Sequence, residues 1–420
     1  MFLFRANFFY RFKMLNIFEK YFHFKARAKR IVHMEDIIKP LYIVTSLLGL
    51  FPYSVKFKKS KNSFEIMSNA YFNSLCGLTI ILIILAFSAL HIQNVFLTAD
   101  NVSMTEAIMT KMNYVFELIT LVIFCLVVYI CAFLNREKYV KLLNMIISTW
   151  CDIPINSSSQ NILSNLKFHV NFIVMGSLIM VVIIQIAVNF SRNSNIWKVI
   201  LVALTFNLPQ TIEFTALAFF YSLVKMLVTI LANINNNCLI LTKNTKVSVS
   251  EITEVQTKST VTLRQMELAY VKAFEIKTYI NKAFEGPILA CTIQCFHSII
   301  SESHIIYHGV VVGNTLTTHD VVNCSIWIAY QLLKIFSLSY AGNLLKLEGL
   351  KIGQTLHNIP TEKQDLRRLM EIQHFSSLMS YQKIEMTVYE YFPLDATLLY
   401  NMLASAMMYL IILVQFDRRE

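Results

Sequence analysis

Residues 66–99, IMSNAYFNSLCGLTIILIILAFSALHIQNVFLTA, contain no Asp, Glu, Lys or Arg. A helix needs about 20 mostly apolar residues to cross the hydrocarbon layer, where it must satisfy all of its backbone polar groups internally. The run therefore predicts a membrane-spanning helix at 70–97. Six further runs have the required length. Residues 112–134 are broken only by Glu117, and 168–191 are uncharged apart from His169. The run 196–232 contains Pro209, Glu213 and Lys225 and is long enough to extend beyond a bilayer. Residues 286–311 carry Glu302, His304 and His308 near their end, 321–345 surround Lys334, and 396–416 are free of charge. The shorter stretch Ile37–Val55 holds Pro40 and Pro52, and reads as an interfacial or re-entrant helix, not a crossing.

Composition agrees with a chain dissolved in lipid. Of 420 residues 55% are hydrophobic and 15% charged, mean hydropathy is +0.53, and glycine and proline number only 9 and 7. A soluble fold with so little charge would expose large apolar patches and associate. The formal charge of +11 raises nucleic acid as a partner, but no DNA- or RNA-binding motif accompanies it, so none is expected. Its distribution speaks instead for membrane orientation. Segments 1–69, 135–167, 233–284 and 346–391 hold 30 of the 37 Lys and Arg, the alternate segments hold 3, and 4 lie in the apolar runs. The positive-inside rule then predicts a cytosolic N-terminus and an extracellular C-terminus.

The cytosolic segments have helical periodicity of their own. Leu263, Met266, Tyr270 and Phe274 form one apolar stripe, and Leu366, Leu369, Ile372, Phe375 and Met379 form a second; both read as packing faces of a helical platform. No signal peptide is expected, because Arg5, Arg11, Lys13 and Lys20 interrupt the aromatic N-terminal stretch. The sequon Asn101-Val102-Ser103 falls in a predicted outer loop. Eight cysteines lie in or beside apolar runs, which argues against a disulfide framework. Cys291 and Cys295, at i and i+4 with His297 nearby, read as small buried hydrophobes, not metal ligands. No metal, cofactor or convergent catalytic site is expected, so the chain does not read as an enzyme.

The last span ends Met408-Tyr409-Leu410-Ile411-Ile412-Leu413-Val414-Gln415-Phe416, followed by four polar residues. It resembles the signature of insect gustatory receptors: Thr-Tyr, five hydrophobic residues, then Gln-Phe. The upstream stretch Phe392-Pro393-Leu394-Asp395-Ala396-Thr397-Leu398-Leu399 is similar to the family's Phe-x-Leu-Asp-x-x-Leu-Leu element. Met408 departs from the pattern, standing where the family usually has Thr. The resemblance implies an all-α, seven-transmembrane bundle assembled as a homo- or heterotetramer, alone or with other gustatory receptor subunits, around a central pore. It implies a tastant-gated, non-selective cation channel in the plasma membrane of gustatory neurons, on dendrite and cell body. Tyr409, Gln415 and Phe416 would form the pore and gate. The chain then divides into a cytosolic segment 1–69, helices one to six with a ligand pocket at 70–345, a cytosolic anchor at 346–391, and the seventh, pore-lining helix with a short extracellular tail at 392–420.

The resemblance also implies a pocket among helices two to six that takes a small-molecule tastant. Buried polar groups in lipid need partners or a wet cavity, which selects Trp327 and Gln331 at i and i+4 on the sixth span. It also selects Glu302, His304 and Tyr307, beside His308, on the fifth span, and Glu213 on the fourth. For Trp327 and Gln331 an equally good reading is interhelical packing and hydrogen bonding. Lys225 and Lys334 read as snorkelling to the headgroups, with membrane lipid as partner. Leu410 stands where the sugar-receptor subfamily commonly has Glu, which favours a bitter-type or divergent ligand; a fructose or sugar type, and an odorant-receptor-like channel, are the alternatives. A G-protein-coupled receptor would need the opposite orientation with Asp-Arg-Tyr and Asn-Pro-x-x-Tyr motifs, and a transporter would need internal repeats.

Overall fold

The computed structural model describes residues 32–52, 54–58, 63–66, 71–97, 104–192, 195–247, 262–312, 318–359 and 366–417. The chain divides into two units, Met1–Val32 and His33–Glu420. Of the first only Val32 is described, so the basic N-terminal residues lie outside the description, as does the Asn101 sequon. Every described helix and strand belongs to the second unit.

Twelve α-helices are described, joined in places by single π-helical turns. They are α1 (Met34–Leu47), α2 (Tyr71–Leu97), α3 (Met104–Leu134), α4 (Arg136–Asp152), α5 (Ser157–Phe168), α6 (Met175–Arg192), α7 (Ile196–Val202), α8 (Leu208–Val247), α9 (Leu263–Tyr307), α10 (Thr318–His357), α11 (Leu366–Tyr381) and α12 (Ala396–Asp417). Seven stretches are long and apolar enough to cross a membrane: Asn73–Asn94, Met112–Leu134, Ser158–Ser191, Ile196–Leu241, Leu263–Val311, Asp320–His357 and Ala396–Gln415. The fold is thus the all-α seven-span bundle that the apolar runs predict. Burial orders the spans: 72% of the fourth is buried within the chain, against 17% of the seventh, so the fourth is central and the seventh peripheral.

Three spans are much longer than their apolar cores. The stripe at 263–274 is not a separate helix but the start of α9, which runs unbroken through Pro287. Thr262 caps it, accepting from Gln265 N while Gln265 Oε1 accepts from Thr262 N. Beyond the apolar zone the helix continues because its polar side chains have water on one side and an apolar stripe on the other. Met266 and Tyr270 are fully buried there, and the Tyr270 ring meets Phe375 of α11 at 5.7 Å, joining the two stripes. Leu366 departs from the second stripe and is exposed. Lys272 pairs with Asp152 of α4 at 2.7 Å, and buried Glu267 is bridged by Arg264 and His374 at 2.7 and 2.9 Å.

The third and fourth spans each contain a π-turn, His169–Val174 and Ala203–Asn207. The second has a local cause. Pro209 lacks an N–H and its ring crowds the carbonyl four residues back, at Thr205, which the wider π-turn relieves. The start of α5 is anchored to α8 by Ser159 Oγ donating to Asn233 Oδ1 at 2.7 Å and Asn156 Nδ2 to Asn237 Oδ1 at 2.9 Å.

Helix α1 is 14 residues long, only about 21 Å at 1.5 Å per residue, and is not among the candidate crossings. Its Ile37, Ile38 and Leu41 are buried facing Val170, Phe219, Leu223 and Met226. Gly49 turns the chain with φ +69°, and a Cβ there would stand 2.4 Å from Gly77 Cα; only glycine fits this crossing. A two-stranded antiparallel hairpin follows, β1 (Val55–Lys58) on β2 (Ser63–Ile66), pairing Val55 with Ile66 and Lys58 with Ser63. No feature of the sequence anticipated it.

Candidate functional site

Five of the seven spans contribute polar side chains to a layered network inside the bundle, among the described residues. Depth is counted from the end at which α2, α6 and α9 finish and α3, α7 and α10 begin, here the short-loop end. The outermost layer joins α2, α3 and the π-turn. Thr205 Oγ1 donates to Leu201 O at 2.8 Å, so His91 Nδ1 must be the donor in its 2.8 Å contact with Thr205 Oγ1. His91 Nε2 is then the acceptor for Tyr114 OH, also at 2.8 Å. The Phe206 ring closes over both, 4.9 Å from Tyr114 and 5.8 Å from His91.

The next layer centres on Glu117 of α3. Its Oε1 accepts from Ser298 Oγ of α9 at 2.8 Å and from the indole Nε1 of Trp327 on α10. Two hydrogen bonds fix this carboxyl group, which is buried at 4% exposure. Trp327 lies edge-on to Phe206 at 6.4 Å and to Tyr330 at 6.1 Å, forming an aromatic wall.

The deepest layer is an ion pair. Lys334 and Glu213 have no exposed surface, and Lys334 Nζ bonds to Glu213 Oε2. The ammonium also donates to Gln331 Oε1 at 2.8 Å and Gln294 Oε1 at 3.5 Å, so its three donors meet three acceptors. The Phe214 ring lies 5.2 Å from Nζ. Lys334 therefore does not snorkel. It stands 16 residues into α10, about 24 Å from the helix start, too deep for its side chain to reach a headgroup.

Several atoms of this layer keep unused hydrogen-bonding capacity. Both amide atoms of Gln210, Nε2 of Gln294 and of Gln331, Oε1 of Glu213 and the Tyr330 hydroxyl are buried without a hydrogen-bond partner in the protein. Helices α8 and α10 both run inward from the short-loop end, and the pairs Gln210–Glu213 and Gln331–Lys334 share a three-residue spacing. The surplus donors and acceptors are thus stacked at one level on neighbouring helices, where a polar guest or water would satisfy them.

The structure brings Trp327, Gln331 and Glu213 together as one network. Glu302, His304 and Tyr307 lie apart from it, one to three turns nearer the end of α9 than Ser298, with the His304 ring 6.2 Å from His308. Sequence reasoning overlooked Glu117, Ser298, Gln210 and Gln294. Glu117 had a signal, as the one ionisable residue within 112–134. The others show theirs only after folding.

Helix α12 starts from a built cap. Strands β3 (Thr387–Val388) and β4 (Phe392–Pro393) form a tight hairpin whose turn residues Tyr389 and Glu390 take φ of 46° and 61°. Leu394 O then lies so close to α10 that a Cβ on Gly342 would sit 1.6 Å from it. Asp395 Oδ1 accepts from Thr397 N at 2.9 Å and Thr397 Oγ1 at 2.6 Å, while Oδ2 lies 3.4 Å from Lys346 of α10. Burial pushes the Asp395 carboxyl up, but the Thr397 bonds and Lys346 outweigh it and hold the group below the usual carboxylate value. Further along, Tyr409 meets Phe296 of α9 edge-on at 5.8 Å. Tyr400, Met407, Met408, Ile411, Ile412 and Gln415 are exposed on the single chain, giving α12 a broad apolar outer face. Phe416 belongs to the helix; its side chain lies outside the described residues.

The family model described as 7tm chemosensory receptor matches residues 38–420. Among solved structures, the insect olfactory receptor OR5 from Machilis hrabei in complex with eugenol has a TM-score of 0.71 at 13% identity, with 91% of this chain and 98% of that chain covered. The same receptor in a second structure gives 0.69 at 12% identity and the same coverage. These likenesses are of fold. No curated protein matches the chain by sequence.

Proposed function

The chain belongs to the 7tm chemosensory receptor family, and from that premise we propose that it is a gustatory receptor acting as a tastant-gated, non-selective cation channel. The reading is carried by the sealed polar network: a span-buried Glu117–Trp327 contact above a Glu213–Lys334 pair, with donors and acceptors left unfilled beside them. Intramembrane ionisable groups are costly and are retained where a ligand or pathway uses them. The basic-residue asymmetry supports a cytosolic N-terminus, which makes the short-loop end extracellular, the side from which a ligand would approach the network. The exposed apolar face of α12 suits packing between four subunits, with Gln415 and Phe416 at the pore.

Helix α10 is the element that would carry the signal. It bears Trp327, Gln331 and Lys334, then Gly342 and Lys346 at the cap of α12. A guest that shifts α10 therefore shifts the root of the pore helix, and a rotation there exchanges an apolar ring for an amide in the pore lining. A bitter-type or divergent tastant fits the absence of a Glu at Leu410. An odorant-type ligand is the second reading, favoured by the aromatic wall of Phe206, Trp327, Tyr330 and Phe214.

Expression with a tastant panel, recorded as current under G-protein blockade, tests the function. Phe416→Ala should give a standing cation leak, and Gln415→Ala should lower evoked current or change selectivity. If neither variant alters conductance at matched surface levels, α12 does not line the pore.

A further inference from the structure

The deepest layer holds a second cluster, beyond the ligand reading. A carboxylate oxygen of Glu213, Cys291 Sγ and Cys295 Sγ all lie within 4.8 Å of one another, and all three residues are fully buried. The two cysteines, four apart on α9, present their sulfurs 3.8 Å from each other. Tetrahedral zinc with Zn–S bonds of about 2.3 Å sets its two sulfurs about 3.8 Å apart. His297, which the sequence placed nearby, instead has its ring 6.2 Å from Phe116. The third donor comes from α8, which sequence spacing could not show.

We propose that Glu213, Cys291 and Cys295 form a buried binding site for a thiophilic divalent cation of the Zn²⁺ type. An independent observation supports an acceptor held in reserve: Lys334 bonds Oε2 of Glu213, whereas Oε1 is buried with no hydrogen-bond partner. Gln331 Oε1, 3.4 Å from Cys295 Sγ, is within reach of a fourth coordination place. The carboxylate must close by at most about 1.3 Å to reach the tetrahedral spacing, which a side-chain adjustment supplies. Charge also balances. Without metal the two thiols are neutral and the Glu213–Lys334 pair cancels. On binding, both thiols release their protons to water; dication, two thiolates and carboxylate then leave one negative charge, which Lys334 offsets. Neither state leaves a net charge in the interior, the condition a low-dielectric site imposes. Thiolates select zinc over calcium or magnesium. Occupancy would tie α8 to α9 beside α10.

The test is anaerobic titration of the reduced, detergent-solubilised full chain with Co²⁺. The expected result is one equivalent bound with thiolate charge-transfer and tetrahedral ligand-field bands, displaced by Zn²⁺ and untouched by excess Mg²⁺ or Ca²⁺. Cys291→Ser and Cys295→Ser should each abolish the charge-transfer band, while Cys238→Ser, a buried thiol elsewhere on α8, should retain it. Absence of the band in the parent chain, or its survival in both serine variants, overturns the proposal. Should a serine variant fail to fold, the parent chain decides: in mild denaturant, which opens the buried thiols of the metal-free chain to a maleimide, Zn²⁺ must slow alkylation of Cys291 and Cys295 relative to Cys238. Equal labelling with and without Zn²⁺ refutes the site. None of these readouts depends on channel activity, so failure here leaves the receptor reading standing.

Discussion

Replacing Lys334 by Met probes the network where its energetics are steepest. The substitution keeps side-chain length but removes the ammonium that Glu213, Gln331 and Gln294 share. Glu213, with no solvent exposure, is left as a buried carboxylate without its counter-charge. Removing one partner of a buried ion pair costs about 3–5 kcal/mol. Proteins are stable by only about 5–15 kcal/mol, so Lys334→Met should be largely retained inside the cell. The double variant Glu213→Gln, Lys334→Met removes both charges of the pair and should recover most of the loss. A recovery of about 3 kcal/mol corresponds to on the order of 100-fold in the folded-to-unfolded ratio. Surface expression and thermal unfolding in detergent, measured for parent, both single variants and the double, close the cycle. A double variant as unstable as Lys334→Met means that the two charges do not meet. A single variant as stable as the parent means that Lys334 reaches water.

Four further outcomes are expected. An N-terminal tag should be reached by antibody only after permeabilisation and a C-terminal tag on intact cells; equal access for both defeats the seven-span orientation. Trp327→Phe keeps an aromatic ring but removes the bond to Glu117, and an intramolecular hydrogen bond contributes about 0.5–1.5 kcal/mol. The cognate response should therefore shift to higher concentration at normal surface level, and an unchanged dose–response curve rules out a ligand-site role. Gly342→Ala drives a Cβ into Leu394 O and should impair gating or assembly, whereas Gly349→Ala, with nothing nearer than 3.8 Å, should not; equal currents from both refute the α10–α12 contact. Because Asp395 is held below its ordinary value near 3.9, its stabilisation is present above that pH and lost as pH falls through the lower, folded value. Asp395→Asn should flatten that acid limb in detergent unfolding curves, and an unchanged limb dissociates it from the cap.

The spans were legible in the sequence because crossing a bilayer is a local constraint: about 20 residues without charge must recur, and they do. Span ends were less legible. Nothing in 264–285 stops a helix, so α9 continues where the apolar count gives out. The hairpin at Val55–Ile66 carries no alternating pattern strong enough to declare itself. The site divides along the same line. Trp327 and Gln331 share a face through their own spacing and were visible. Glu213 and Lys334 are 121 positions apart, and each alone reads as an isolated charge, one facing a cavity and the other bound for the headgroups. Only packing of α8 against α10 makes them a pair, and only packing of α8 against α9 adds the two thiols.

One face of α10 connects the polar network to the cap of α12. Trp327, Gln331, Lys334, Leu338, Gly342 and Leu345 fall at three- and four-residue steps, so they form a single stripe along one rigid helix. Gln331, Lys334, Leu338 and Leu345 on that stripe are fully buried, and Gly342 is the point where Leu394 O presses on it. From Lys334 to Gly342 is about 12 Å of continuous helix at 1.5 Å per residue. A displacement at the polar network cannot be absorbed by a loop before it reaches the cap of α12, because no loop intervenes. The periodicity was present in the sequence; its meaning was not, since a glycine in a helix shows what it touches only once the carbonyl opposite is known.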